Sequence, residues 1–122
     1  MSQNIKNIIQ LAKENPWFRQ EIITGDNSQV VVMSIPPQGE IGEEVHEVDQ
    51  ILVFVEWNGE AIIEGEVSPI KDGHLAFVHA GTTHNFRNTG TVDLKLYTIY
   101  APPEHEPGTV HKTKAEAEAE EE

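Results

Sequence analysis

The sequence predicts an all-β barrel or sandwich preceded by one short helix. Three observations carry this expectation. From about residue 19 to Tyr100 the chain is a series of short runs rich in Val, Ile, Phe and Tyr, closed by Gly, Pro, Asn or Asp. Turn signals recurring roughly every 8–12 residues, with no helical segment between them, are the pattern of all-β domains. Upstream, Ile5, Ile8, Ile9, Leu11 and Ala12 recur at helical spacing. A length of 122 residues without cysteine suffices for one core that needs no disulfide or metal as a staple.

Taken in order, residues 1–18 form the helical segment, which "ENP" (Glu14 to Pro16) stops. Residues 19–103 hold the strands. "EIIT" is followed by the turn "GDNS", and "QVVVMSI" ends at Pro36-Pro37. "QILVFVE" leads into "WNGE", where Asn58-Gly59 is a strong hairpin dipeptide. "AIIEGEVSPI" breaks at Gly65, Lys71 to Gly73 turns into "HLAFVH", and "AGTT" precedes "HNFRN". The turn "TGTVD" leads to the last strand, "LKLYTIY". Residues 104–122 are expected to be an irregular, acidic tail, because "KAEAEAEEE" has helix-forming composition but little apolar area to hold it. "QVVVMSI" and "LKLYTIY" are apolar on both faces, so their outer side needs cover. The N-terminal helix and a second copy, in a homodimer, are the expected cover.

The formal net charge is −13, from 21 acidic and 8 basic residues. Such a field repels nucleic acid and anionic membranes and attracts divalent cations. The longest apolar run, Ile51 to Val55, is far short of the roughly 20 residues of a membrane span. The start has no apolar stretch of signal-peptide length. Together with the missing cysteines, this leads us to expect a cytoplasmic protein. Thiolate metal sites and Cys nucleophiles are excluded, and no calcium loop, P-loop or dinucleotide fingerprint is present.

Of six histidines, His105 and His111 fall in the irregular segment and are expected at the surface, as is His74 after its turn. His79 ends a strand. His46 and His84 stand at strand ends beside tight connections, from which barrels project functional side chains inward. The two-residue period of a strand puts Glu44 with His46 on one face. It likewise puts His84, Phe86 and Asn88 on one face, with Asn85 and Arg87 on the other. Gln50 opens the strand after a short connection. A pocket of Glu44, His46, Gln50 and His84 offers two imidazoles, one carboxylate and one amide oxygen, a set that Fe, Mn, Ni, Co or Zn accepts.

At these residues the chain resembles the cupin superfamily, the double-stranded β-helix (jelly-roll) barrels. The second cupin motif, G-x5-P-x-G-x2-H-x3-N, is met by Gly73, Gly81, His84 and Asn88, with His79 in the proline position. The first motif fits in spacing only. Its positions fall on Gln38, Glu44, His46, Gln50 and Trp57, of which His46 alone is the usual residue. Gln38 and Trp57 stand at glycine positions. For Trp57, Asn58-Gly59 next door is expected to supply the positive φ in a shifted turn. The wording "PPQGEIGEEVHEVDQ", "AGTTHN" and "LYTIYAPP" is similar to small single-domain cupins of the mannose-6-phosphate isomerase-like type.

The resemblance implies a divalent transition metal held by Glu44, His46, Gln50 and His84. It also implies an enzyme for a small oxygen-rich molecule, with dioxygenase- or isomerase-type chemistry and no catalytic residue yet assigned. A phosphosugar substrate would need cationic anchors. Arg87 is out of phase with His84, and from Glu40 to Glu66 there are nine acids and no base. A non-phosphorylated ligand is therefore expected. The alternatives are a sugar-phosphate isomerase and a barrel that binds metal or ligand without turnover.

Overall fold

The computed structural model describes residues 4–121. Helix α1 (Ile8–Glu14) is capped by Asn7, whose side-chain oxygen accepts a hydrogen bond from the Gln10 backbone N–H at 3.1 Å. It ends at Asn15 because Pro16 forces the preceding residue into extended backbone. Its Ala12 is fully buried, and the helix packs on strands β2 (Gln29–Ile35), β3 (Asp49–Glu56) and β8 (Leu94–Ala101). One of the two covers expected for the apolar outer face is thus present.

The remaining strands are β1 (Arg19–Thr24), β4 (Asn58–Ile63), β5 (Glu66–Lys71), β6 (Leu75–Val78), β7 (His84–Asn88) and β9 (Val110–His111). They form a six-stranded sheet, β6-β3-β8-β2-β1-β9, and a three-stranded sheet, β5-β4-β7. The strand pairings among the described residues are antiparallel, as in the expected double-stranded β-helix. Alternation decides what faces inward. Gln50, Leu52 and Phe54 of β3 lie opposite Tyr100, Thr98 and Leu96 of β8, and all six are buried. Phe54 of the large sheet meets Phe86 of the small one at 5.7 Å between ring centres, so the core lies between the sheets.

Two sequence expectations need correction. Asn58-Gly59 does not turn a hairpin: β3 pairs with β6 and β8, whereas β4 pairs with β5 and β7, so the chain changes sheets there. Trp57 itself takes the left-handed backbone, φ 69°, and Gln38 does the same at φ 63°. Both keep the conformation of the glycines they replace, so the turn is not shifted. Gly59 serves close approach: a Cβ there would lie 2.1 Å from the Arg87 carbonyl oxygen on β7. The true two-residue hairpin is Glu64-Gly65, both at positive φ between the paired Ile63 and Glu66, a type I′ turn.

The second correction concerns the C-terminal segment, which is not irregular throughout. Val110 and His111 pair with Gln20 and Arg19 as β9, and helix α2 (Lys114–Glu121) follows with Ala117 buried in the core. A two-residue pairing to a strand some 90 residues away leaves no periodic trace in a sequence. Before β9, the buried side chain of Gln29 grips the chain. Its Oε1 accepts from the N–H groups of Glu104 and His105 at 3.2 and 3.0 Å, and its Nε2 donates to the His105 carbonyl at 2.6 Å. Residues 102–111 are thereby laid across one end of the barrel. His111 is consequently buried and His105 half-buried, not at the surface as expected, while His74 and His79 are exposed. Among the described residues no helix is long and apolar enough to cross a membrane.

Candidate metal centre

Glu44 and His84 form an isolated antiparallel bridge, with the Glu44 N–H donating to the His84 carbonyl at 2.9 Å and the reverse bond at 3.0 Å. Paired residues present their side chains on the same face. His46, two residues on from Glu44, shares that face, and its carbonyl accepts from the Gly81 N–H at 2.7 Å. That bond ties the two halves of the site together at the turn where Gly81 has φ 85°. One ligand atom from each of Glu44, His46 and His84 lies within 4.8 Å of the others. The His46 and His84 rings are 5.3 Å apart, and the Tyr100 ring meets His46 edge-on at 5.8 Å.

Hydrogen bonds on the far side of each group fix which atom points inward. The His84 Nδ1 lies 2.8 Å from the Thr82 carbonyl; a carbonyl only accepts, so Nδ1 carries the proton and Nε2 keeps its lone pair. The His46 Nδ1 lies 3.3 Å from the Glu104 carboxylate, which leaves His46 Nε2 facing the site. Gln50 donates from Nε2 to the Thr98 hydroxyl at 3.0 Å, so its Oε1 is the free atom. His46 Nε2, His84 Nε2 and Gln50 Oε1 are all buried without a hydrogen-bond partner. The Glu44 carboxylate stands 3.6 Å from His46 Nε2, too far for a hydrogen bond but close in charge.

Charges settle around this cluster. Burial disfavours the Glu44 carboxylate, but His46, with Arg19 and His84, holds its pKa below the ordinary value. Burial works against a charged His46 too, yet the carboxylates of Glu44 and Glu104 raise its pKa. Burial lowers that of His84, outweighing the Thr82 carbonyl. Three buried lone-pair atoms with no donor would each cost about 1–3 kcal/mol. A borderline divalent metal satisfies the two imidazoles and the carboxylate that lie together here. The residues fit such an ion.

Next to this cluster are four residues that sequence reasoning did not place there. Arg19 opens β1 with 2% of its surface exposed, and its Nη1 is 3.1 Å from His111 Nδ1. His105 packs against Tyr100 at 5.1 Å, and Glu104 touches His46. His105 is pushed down to about 3, first by burial and then by Arg19, His46 and His111, so it is neutral. Burial pushes the Tyr100 hydroxyl up, so it stays protonated. The expected strand begins at "EIIT", and nothing in the sequence signals Arg19.

The Cupin domain family matches residues 31–100 of the chain. The chain is a cupin. The uncharacterized protein YrkC of Bacillus subtilis is 42% identical over 94% of this cupin, a match that spans only 66% of YrkC's own length. The crystal structure of BH2720 from Bacillus halodurans superposes with a TM-score of 0.93 at 43% identity, covering 94% of this cupin and 92% of that chain. A predicted oxalate decarboxylase of Thermotoga maritima shares the fold, with a TM-score of 0.65 at 22% identity over 70% of this cupin and 79% of that chain.

Proposed function

We propose that this cupin is a cytoplasmic, divalent-metal-dependent enzyme acting on a small, oxygen-rich, non-phosphorylated molecule, by dioxygenase- or isomerase-type chemistry. The observation that carries the reading is the convergence of Glu44, His46 and His84, with His46 Nε2 and His84 Nε2 buried and unpartnered. Glu44, His46, Gln50 and His84 would hold the ion. When bound, the metal supplies a Lewis acid that polarises an oxygen of the ligand.

The chain's own residues do the rest. Glu104 and the Thr82 carbonyl hold the two imidazoles in the tautomer that offers Nε2 inward. Arg19 and the Tyr100 hydroxyl supply hydrogen-bond donors beside the cluster. The cavities that border Glu44 or His84 are small. One of about 90 Å³ is lined by Arg19, Glu44 and Lys114, and one of about 130 Å³ by Thr83, His84 and Arg87. Pockets for larger ligands run to roughly 300–1,000 Å³. The acidic run from Glu40 to Glu66, without a base, speaks against a sugar phosphate, the mannose-6-phosphate isomerase-like alternative.

The test is elemental analysis of the purified protein beside His46→Ala and His84→Ala. We expect one transition metal per chain in the parent and loss of it in both variants. A parent that takes up no metal, or variants that keep it in full, would sink the reading.

A further inference from the structure

We propose that helix α2 is a lid, which comes off the barrel to open a passage from solvent to the Glu44 side of the metal centre. The proposal rests on the functional reading above for what the passage serves. The cavity of about 90 Å³ at Glu44 has Arg19 and Ile41 on its barrel side, and Lys114, Ala117 and Glu118 of α2 complete its wall. A larger cleft of about 430 Å³ is bordered by the exposed Asp93 and Lys112. The two spaces share Phe18 and Lys114 as a partition. Lys114 belongs to α2. Displacing the helix therefore removes one half of the partition and joins the cleft to the cavity at Glu44.

Little holds α2 in place, and most of it is polar. Of residues 114–120 only Ala117 is buried, which gives the core a single methyl group. The Lys114–Glu118 ion pair at 3.7 Å and the bond from the Glu116 N–H to the Thr113 hydroxyl at 3.2 Å lie within the helix and its cap, so they do not fasten it. The polar latch to the barrel is Glu120, whose Oε2 is 2.5 Å from His111 Nε2. A guanidinium only donates, so His111 Nδ1, 3.1 Å from Arg19 Nη1, accepts, and Nε2–H is left to donate to Glu120. Arg19 and His111 are buried and paired across β1 and β9, so the barrel's half of the latch is fixed. The chain stays anchored up to Lys112, whose carbonyl accepts from the Phe18 N–H at 3.2 Å. Beyond it, α2 has eight residues, fewer than the roughly 12–15 that an isolated helix needs. It unfolds as it leaves, a local opening that spares the two sheets.

The chain has no cysteine, so Ala117→Cys places a unique thiol under the lid, and Ala61→Cys, on β4 in the core, is the barrel control. In native full-length protein the thiol at 117 is expected to react with Ellman's reagent about 100-fold faster than the thiol at 61. Adding Glu120→Ala should speed the thiol at 117 roughly two- to ten-fold and leave the one at 61 unchanged. Alanine is the best helix former, so such a gain reports the lost latch and not a weaker helix. Amide hydrogen exchange of the unsubstituted protein needs no variant to fold: residues 115–119 should exchange about 100-fold faster than β8. In zinc-loaded protein, Glu120→Ala should speed release of the ion to a chromophoric chelator by the same factor as it speeds the thiol. Equal thiol rates at 117 and 61, α2 amides as slow as those of β8, a Glu120→Ala without effect on the thiol, or zinc release that does not follow the thiol overturns the proposal. A parent that binds no zinc overturns the metal reading, and the thiol and amide rates then decide the lid alone.

Discussion

Glu104 lies beyond the residues at which the family resemblance stops, yet its carboxylate is 3.3 Å from the Nδ1 of His46. A carboxylate in that place orients a metal-binding imidazole and raises its basicity. Glu104→Gln is expected to weaken metal binding by about 10–100-fold while leaving the melting temperature of the metal-free protein unchanged. Competition with a chromophoric chelator measures it, and unchanged affinity would remove Glu104 from the site. His46 and His84 were legible in the sequence because strand alternation and motif spacing are local properties. Arg19, Glu104 and His111 were not, since Glu104 meets His46 and Arg19 meets His111 across 58 and 92 residues of chain, separations that no local period encodes.

Among the elements, the succession of strands up to Tyr100 was readable from the turns, but the crossing between sheets was not. Asn58-Gly59 carries the composition of a hairpin, and what overrides it is the backbone of Trp57, left-handed against its own preference. A left-handed non-glycine costs about 1–2 kcal/mol, and glycine's extra chain entropy offsets roughly 0.5–1 kcal/mol of that. Trp57 is half-exposed, so Trp57→Gly should be neutral to stabilising by less than about 1 kcal/mol. Gly59→Ala, by contrast, drives a methyl into the Arg87 carbonyl and should cost about 1–3 kcal/mol or more. Urea unfolding of the two variants checks the contrast in sign. A stable Gly59→Ala would mean that β4 and β7 do not approach as closely as described.

At the scale of the whole molecule, α1 covers only part of the large sheet's outer face. β6 is the edge of that sheet, and its outward residues Leu75 and Phe77 are 61% and 42% exposed. An apolar, unpaired edge is the kind of surface that a second copy covers through an isologous contact. We therefore propose that the expected homodimer forms there. Light scattering should give twice the chain mass of 13.6 kDa, and Phe77→Asp should shift the species toward monomer. A monomeric parent at high protein concentration would refute it.

The grip of Gln29 on residues 104 and 105 bears on how this protein is compared with its relatives. The stretch that carries the family's sequence pattern ends at Tyr100, but the wall that brings Glu104, His105 and His111 to the centre begins just after it. Two cupins can agree over every matched position and still differ in what surrounds the ion. Inheritance of the barrel and inheritance of its chemistry are then separate events. Relatives of this chain are better sorted by what they place opposite Gln29 than by how closely their strands align.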